Sequence, residues 1–354
     1  MKYLILGNSL YILLPFIFNI LYLNLKYKLY IKMEEYIVKK PEDILDAILQ
    51  NGFAILEDVL SPEECETMRN EAWSFFESLC SILKRDDRST WKHIFELHPS
   101  HNILYRHWGI GQAQYVWNIR QKPKIISIYR KIWNGIYQHR GQNHRAGHMK
   151  VSFDGTSFLL PPEITNKGWD SNPWFHINQR YDYQDIQGVQ SFVTSEDMCP
   201  GDSTLVVLKG SNLRHSGSGL KTNSGDRRSL TEYEMETVYL GCERIEVTCK
   251  AGSMVFWDPR TVHYSKGVTR GRDIQRIRNT VYLSYIPKSM ITPMKDQKRR
   301  KAFEELRTSS NWPDRMDLMP ILPRKFDYNY FREDIKNTFP KHKPVLDEFG
   351  EPLV

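Results

Sequence analysis

Beyond residue 40 the chain switches between two spacings of apolar residues. Ile44, Leu45, Ile48 and Leu49 follow Pro41 at a helical period, and Gly52 stands where a helix is released, which predicts a short amphipathic helix. Residues 53–56 read as a strand. Ser61-Pro62-Glu63-Glu64 then combines an N-cap serine, proline in the first helical position and glutamate in the third, the arrangement of a capping box. Cys65, Met68, Ala72, Phe75, Leu79 and Leu83 continue it at helical spacing, so one face of that helix is expected on the core. From Met149 the texture changes to short β-branched and aromatic runs broken by Gly, Pro, Asn and Asp. Strands are predicted over 149–153, 189–194, 205–208, 245–248, 254–257 and 281–285. Helices first and many strands afterwards, with no helix between them, predict a mainly β sandwich or barrel with flanking helices. Residues 215–228, rich in Gly, Ser and Asn, read as a loop, and a charged helix is expected around 295–307.

Composition narrows the picture in three ways. Of 354 residues 40% are hydrophobic and 12% aromatic, enough to build a packed core and to exclude general disorder. The net charge of +7 owes four of its charges to Lys2, Lys26, Lys28 and Lys32 in a stretch without acids, and the remaining +3 argues against a nucleic-acid partner. Cys65, Cys80, Cys199, Cys242 and Cys249 are odd in number and lack CxxC spacing, so neither a disulfide framework nor a zinc knuckle is expected.

Residues 1–32 form a hydrophobic leader that stands apart from the rest. Its stretch 4–25 is uncharged and long enough to span a bilayer, and no alanine-type cleavage site follows it. It reads either as a signal anchor or as a misassigned start ahead of Met33. The chain is expected in the cytoplasm if translation begins at Met33, and otherwise anchored to a membrane. The principal domain is expected over 33–290, and 291–354 as a helical and irregular extension.

Three clusters carry candidate chemistry. In Trp174-Phe175-His176-Ile177-Asn178 an extended chain puts His176 and Asn178 on one face. A second run, 254–263, is a strand and turn that presents His263. In the third, Arg278 and Thr280 share a strand face, with Arg276 the alternative cation. A ferrous oxygenase needs two neutral imidazoles and one carboxylate on one face of the metal, and the guanidinium fork of an arginine suits the remote carboxylate of a 2-oxo acid. A lone strand histidine is more often structural; their conjunction favours ligands. The basic run 298–301 reads as a solvated helix face.

These clusters, in this order, resemble the phytanoyl-CoA dioxygenase family, whose H-x-D, distal H and downstream R lie on a double-stranded β-helix, a cupin-like jelly roll. Further segments resemble the family as well: Gly52-Phe53-Ala54-Ile55-Leu56 with the capping box, Val151-Ser152-Phe153-Asp154-Gly155, Gly188-Val189-Gln190-Ser191-Phe192, and 201–211. The resemblance spans about residues 40–287. It implies Fe(II) held by His176, Asn178 and His263, and 2-oxoglutarate held by Arg278 with Thr280. It also implies Gln190 and Ser152 near the co-substrate, and Trp174, Asp154 and Gln179 about the mouth. The reaction implied is hydroxylation of an unknown small organic or lipid-like substrate. The chain departs from the family at Asn178, where a carboxylate is expected. Three readings stay open: a working site with Asn178 or water as third ligand, a site opened for a halide, or an inactive jelly roll that only binds ligands. Bulk at Asn178 argues against the halide. Asp182, six residues past His176, is expected beyond the strand.

Overall fold

The computed structural model describes residues 33–171, 173–215, 227–323 and 342–354. The leader 1–32, with its candidate span 4–25, lies outside the described residues, as does most of the loop expected over 215–228. Among the described residues no helix is long and apolar enough to cross a membrane.

The N-terminal elements follow from local sequence. Helix Ile44–Asn51 ends at Gly52, whose φ of +89° favours a residue without a Cβ. A Cβ there would also stand 2.6 Å from Thr261 Oγ1, so the glycine lets the helix end close against the turn before His263. Helix Pro62–Leu79 starts with the expected reciprocal cap: the Glu64 amide donates to Ser61 Oγ (3.2 Å) and the Ser61 amide donates to Glu64 Oε2 (2.8 Å).

Among the described residues fourteen strands follow one another: β1 (Ile37–Val38), β2 (Phe53–Leu56), β3 (Leu104–Tyr105), β4 (Met149–Val151), β5 (Thr156–Leu159), β6 (His176–Ile177), β7 (Gln190–Thr194), β8 (Leu205–Leu208), β9 (Arg228–Ser229), β10 (Arg244–Glu246), β11 (Met254–Trp257), β12 (His263–Ser265), β13 (Arg278–Leu283) and β14 (Tyr285–Pro287). One sheet runs β1-β2-β11-β7-β13-β5-β3 and the second β10-β8-β12-β6-β9, while β14 and β4 form a separate ribbon. The fold is mainly β with flanking helices, a double-stranded β-helix of the jelly-roll type. The strand expected over 281–285 divides at Ser284. Its first part extends back to Arg278 between β7 and β5, and its second part leaves the sheet to pair with β4.

Two helices that the motif-centred reading passes over, Gln114–Arg120 and Pro123–His139, lie between the N-terminal helix and β4. The longer one buries Ile125, Ile128, Tyr129, Ile132, Trp133 and Ile136. Each such side chain contributes about 1.5–3 kcal/mol of gross burial energy. The helix also braces the back of the large sheet: Tyr129 Oη donates to the Leu283 carbonyl at 2.9 Å and Trp133 Nε1 to the Tyr285 carbonyl at 2.7 Å.

The run 298–301 departs from a solvated face at one position. Arg299, in helix Pro293–Glu304, is fully buried and donates to the carbonyls of Pro313 (2.7 Å), Val151 (2.8 Å) and Leu353 (2.7 Å). Burial lowers its pKa to about 9, and it acts as a cross-link between the C-terminal stretch and the edge of the barrel.

Candidate active site

The two sheets enclose a cavity of about 280 Å³. His176 on β6 and His263 on β12 face each other across one antiparallel register pair, which brings distant segments together with ring centroids 4.3 Å apart. Each ring is oriented from behind. His176 Nδ1 meets the Trp174 carbonyl at 3.2 Å, and His263 Nδ1 meets the Thr261 carbonyl at 2.8 Å. A carbonyl only accepts, so Nδ1 carries the proton and Nε2 keeps its lone pair. Burial, aided by the charges of His263 and Arg227, holds His176 well below the usual imidazole range. Burial pushes His263 down to about 4, with Arg227 adding to it and the Thr261 hydrogen bond opposing it. Both rings are therefore neutral and ready as donors at physiological pH.

Asn178 lines the same cavity. Its Nδ2 lies 3.0 Å from Gln190 Oε1 and 3.1 Å from His263 Nε2. Among the described residues no three His, Cys, Asp or Glu side chains gather closely enough to hold a metal ion. Asp182 is exposed and paired with Arg180 at 2.5 Å, so it does not replace the missing carboxylate. The spacing nonetheless suits an ion. Two donors side by side on a six-coordinate divalent ion, each at roughly 2.1–2.2 Å, stand about 3 Å apart. Which end of an amide is oxygen depends on its hydrogen bonds. Turning Asn178 end for end directs Oδ1 to the position beside His263 Nε2. Gln190 can follow, because its Nε2 is buried without a partner and would donate to that oxygen.

Arg278, at the start of β13, is buried; its guanidinium donates to the hydroxyls of Ser203 (3.3 Å), Ser265 (3.4 Å) and Tyr282 (3.1 Å) and lies 5.8 Å from the Phe192 ring centre. Its Nε has no partner, and no carboxylate among the described residues pairs with it. Ser265 and Tyr282 line the cavity, so this cation sits directly behind the wall. Arg276, by contrast, already pairs with Asp202 at 3.4 Å. Thr280 lies between Arg278 and Tyr282 on the same strand face with Oγ1 unpartnered, but it does not line the cavity.

The remaining expected site residues divide. Gln190, Trp174 and Asp154 line the cavity, whereas Ser152 and Gln179 do not. Gln179 instead clamps a neighbouring loop through the Tyr183 and Asp185 carbonyls and the Gln187 amide. Ser152 is buried with a free Oγ beside the β4–β14 ribbon. Sequence reasoning missed Arg106, Arg227 and the wall formed by Ser310, Asn311, Trp312, Asp317 and Met319. The last belongs to the C-terminal stretch, and Trp312 Nε1 donates to the Asn178 carbonyl at 3.0 Å.

A sequence model of the family described as Phytanoyl-CoA dioxygenase (PhyH) matches residues 48–273, well over half of the chain. The chain belongs to this family. The match takes in His176, Asn178 and His263 and stops short of Arg278. The phytanoyl-CoA dioxygenase family depends on Fe(II) and 2-oxoglutarate, and the chain is accordingly an oxidoreductase of the dioxygenase type. Among curated proteins it is similar to Ava biosynthesis cluster protein O of Aspergillus versicolor, 21% identical over 285 residues, 77% of this chain and 86% of that protein. It is also similar to a putative phytanoyl-CoA dioxygenase of Dictyostelium discoideum, 24% identical over 130 residues, 36% of this chain and 34% of that protein. Among solved structures, EctD from S. alaskensis with bound Fe aligns at a TM-score of 0.45 and 12% identity, covering 72% of this chain and 78% of that one.

Proposed function

We propose that the chain hydroxylates a small organic or lipid-like substrate with Fe(II) held by His176, His263 and Asn178, and 2-oxoglutarate held by Arg278. The observation that carries this reading is Arg278, a buried guanidinium without a counter-charge behind a cavity that also presents two neutral imidazoles. A buried cation left unpaired is costly, and a carboxylate brought in by a ligand removes that cost. Thr280 Oγ1 supports the same carboxylate from the same strand face, and Gln190 steadies Asn178.

Iron and 2-oxoglutarate, when bound, would supply the oxidation of a substrate C–H bond to the alcohol by dioxygen, with one oxygen atom in the alcohol and the other in the succinate formed, with carbon dioxide, from the co-substrate. The chain's own residues do the rest. The backbone carbonyls of Trp174 and Thr261 fix the two imidazole tautomers. Asn178 contributes a neutral oxygen where its relatives' pattern has a carboxylate, so the site carries one negative charge fewer and is expected to hold iron more weakly until the dianionic co-substrate joins it. Metal and co-substrate then each raise the other's affinity.

One observation favours a second reading, an inactive ligand-binding jelly roll: the Asn178 amide already lies within hydrogen-bond distance of the His263 lone pair. Succinate formation by the full chain with Fe(II) and 2-oxoglutarate separates the two. Release of succinate that disappears in His176→Ala and His263→Ala supports the oxygenase. Silence in the native chain, with turnover appearing in Asn178→Asp, supports the inactive scaffold.

A further inference from the structure

Two further arginines border the cavity. Arg106 follows β3, and Arg227 directly precedes β9, whose Ser229 pairs with His176. Both line the cavity beside Trp174 and His176. The Arg227 guanidinium lies 5.6 Å from the Trp174 ring centre, while the Trp174 plane is already stacked on His101 at 3.9 Å and on His176 at 4.9 Å. Among the described residues, neither Arg106 nor Arg227 forms an ion pair. Two acids also line the cavity. Asp154 is buried and accepts from the Gly155 amide at 2.7 Å; burial raises its pKa, and the nearby charge of Arg106 opposes that rise without forming an ion pair, while Asp317 is exposed. The wall around His176 thus carries two guanidinium forks that the protein does not neutralise by direct pairing.

We propose that Arg106 and Arg227 form a second anion site, which binds a carboxylate or phosphate on the substrate and so sets which carbon faces the two imidazoles. The substrate is therefore an organic acid. This rests on the oxygenase reading for the cavity, and it uses cations other than Arg278. Guanidinium forks recognise carboxylate and phosphate alike by paired hydrogen bonds. Arg106 is half-buried and Arg227 exposed, so such contacts are strongest at low salt. Trp174, stacked on His101 and His176, stands beside the two arginines.

Calorimetric titration of the full chain tests the proposal, with 2-oxoglutarate saturating and Mn(II) replacing Fe(II) so that no turnover occurs. Phenylacetate, phenyl phosphate and phenylacetamide serve as probes matched in their ring. At low salt at least one anion is expected to bind about ten-fold more tightly than the neutral amide, and the stronger of the two identifies the headgroup. Arg106→Gln/Arg227→Gln should bring that preference below about two-fold while leaving 2-oxoglutarate affinity unchanged. Arg227→Gln alone, at an exposed side chain, should lose roughly three-fold without disturbing the fold. Equal binding of the acids and the amide by the native chain overturns the proposal, as does a preference that survives the double substitution. A loss of 2-oxoglutarate affinity in the double variant overturns it too, because the pair would then hold the co-substrate. Repeating the titration without metal reads the arginines alone, so a failed iron site and a failed anion site give different results.

Discussion

The Arg278 end of the cavity and the wall formed by His176, Asn178 and His263 are both buried and polar, yet they differ in how far the protein satisfies them. At the Arg278 end the guanidinium has hydroxyl contacts of 3.1–3.4 Å and an unpartnered Nε, so its charge remains unanswered. On the other wall each imidazole is fixed from behind, and Asn178 reaches Gln190 at 3.0 Å and His263 at 3.1 Å. One end holds a guanidinium with no counter-charge among the described residues; the other holds its rings in place but leaves Gln190 Nε2 without a partner. On the proposed reading, the neutral Asn178 leaves the electrostatic demand to the co-substrate side.

The comparison breaks most decisively at Arg278. Arg278→Gln should lower 2-oxoglutarate affinity by about 100-fold or more, because a desolvated charge-assisted pair is worth roughly 2–5 kcal/mol. Calorimetry with the native chain and the variant measures this, and an unchanged affinity would mean that the unanswered charge is structural.

Acid stability probes the other wall. His263 has a folded pKa of about 4 and an ordinary imidazole titrates near 6.5. The unfolded chain then binds more protons between those values, so stability is fully present above about pH 6.5 and is lost as pH falls toward 4. Between pH 7 and 5 this amounts to roughly 2 kcal/mol from His263 alone, with His176 acting in the same direction. Urea unfolding at the two pH values should show the slope, and His263→Gln should flatten it.

Asn178→Asp should sharpen the contrast by restoring a negative charge beside His263, raising Fe(II) affinity in the absence of 2-oxoglutarate by about ten-fold or more. The native chain, titrated with Fe(II), should instead gain affinity only when 2-oxoglutarate is added. The smallest effects belong to supporting contacts. Gln190→Met and Trp312→Phe each remove one side-chain hydrogen bond around Asn178 and should cost about 1 kcal/mol in metal or substrate affinity. Thermal melts of both variants serve as the control for global stability.

Much of the scaffold was legible along the chain because its signals are local. The Ser61–Glu64 cap, the release at Gly52 and the apolar runs 205–208 and 254–257 need only neighbours in sequence to act. His176 and Asn178 were recognisable as a pair because alternate residues of an extended chain share a face. Arg278 stood out only beside a resembling motif, and Arg276, its rival there, is paired with Asp202. Helix Pro123–His139 was legible in principle, since Ile125, Ile128, Ile132 and Ile136 keep the helical period, but no catalytic motif drew attention to it.

The amino-acid sequence by itself determined the element types, the two imidazoles and the missing carboxylate at Asn178. Only the tertiary structure decided that His176 and His263 meet across one register pair, that Gln179 clamps a loop away from the cavity, and that Arg106, Arg227 and Trp312 complete its walls. Caps and periodicities are written in residues a few positions apart. Charge neutralisation and cavity lining depend on which distant segments pack together, and Arg299, buried within a basic run, shows that composition alone cannot reveal it.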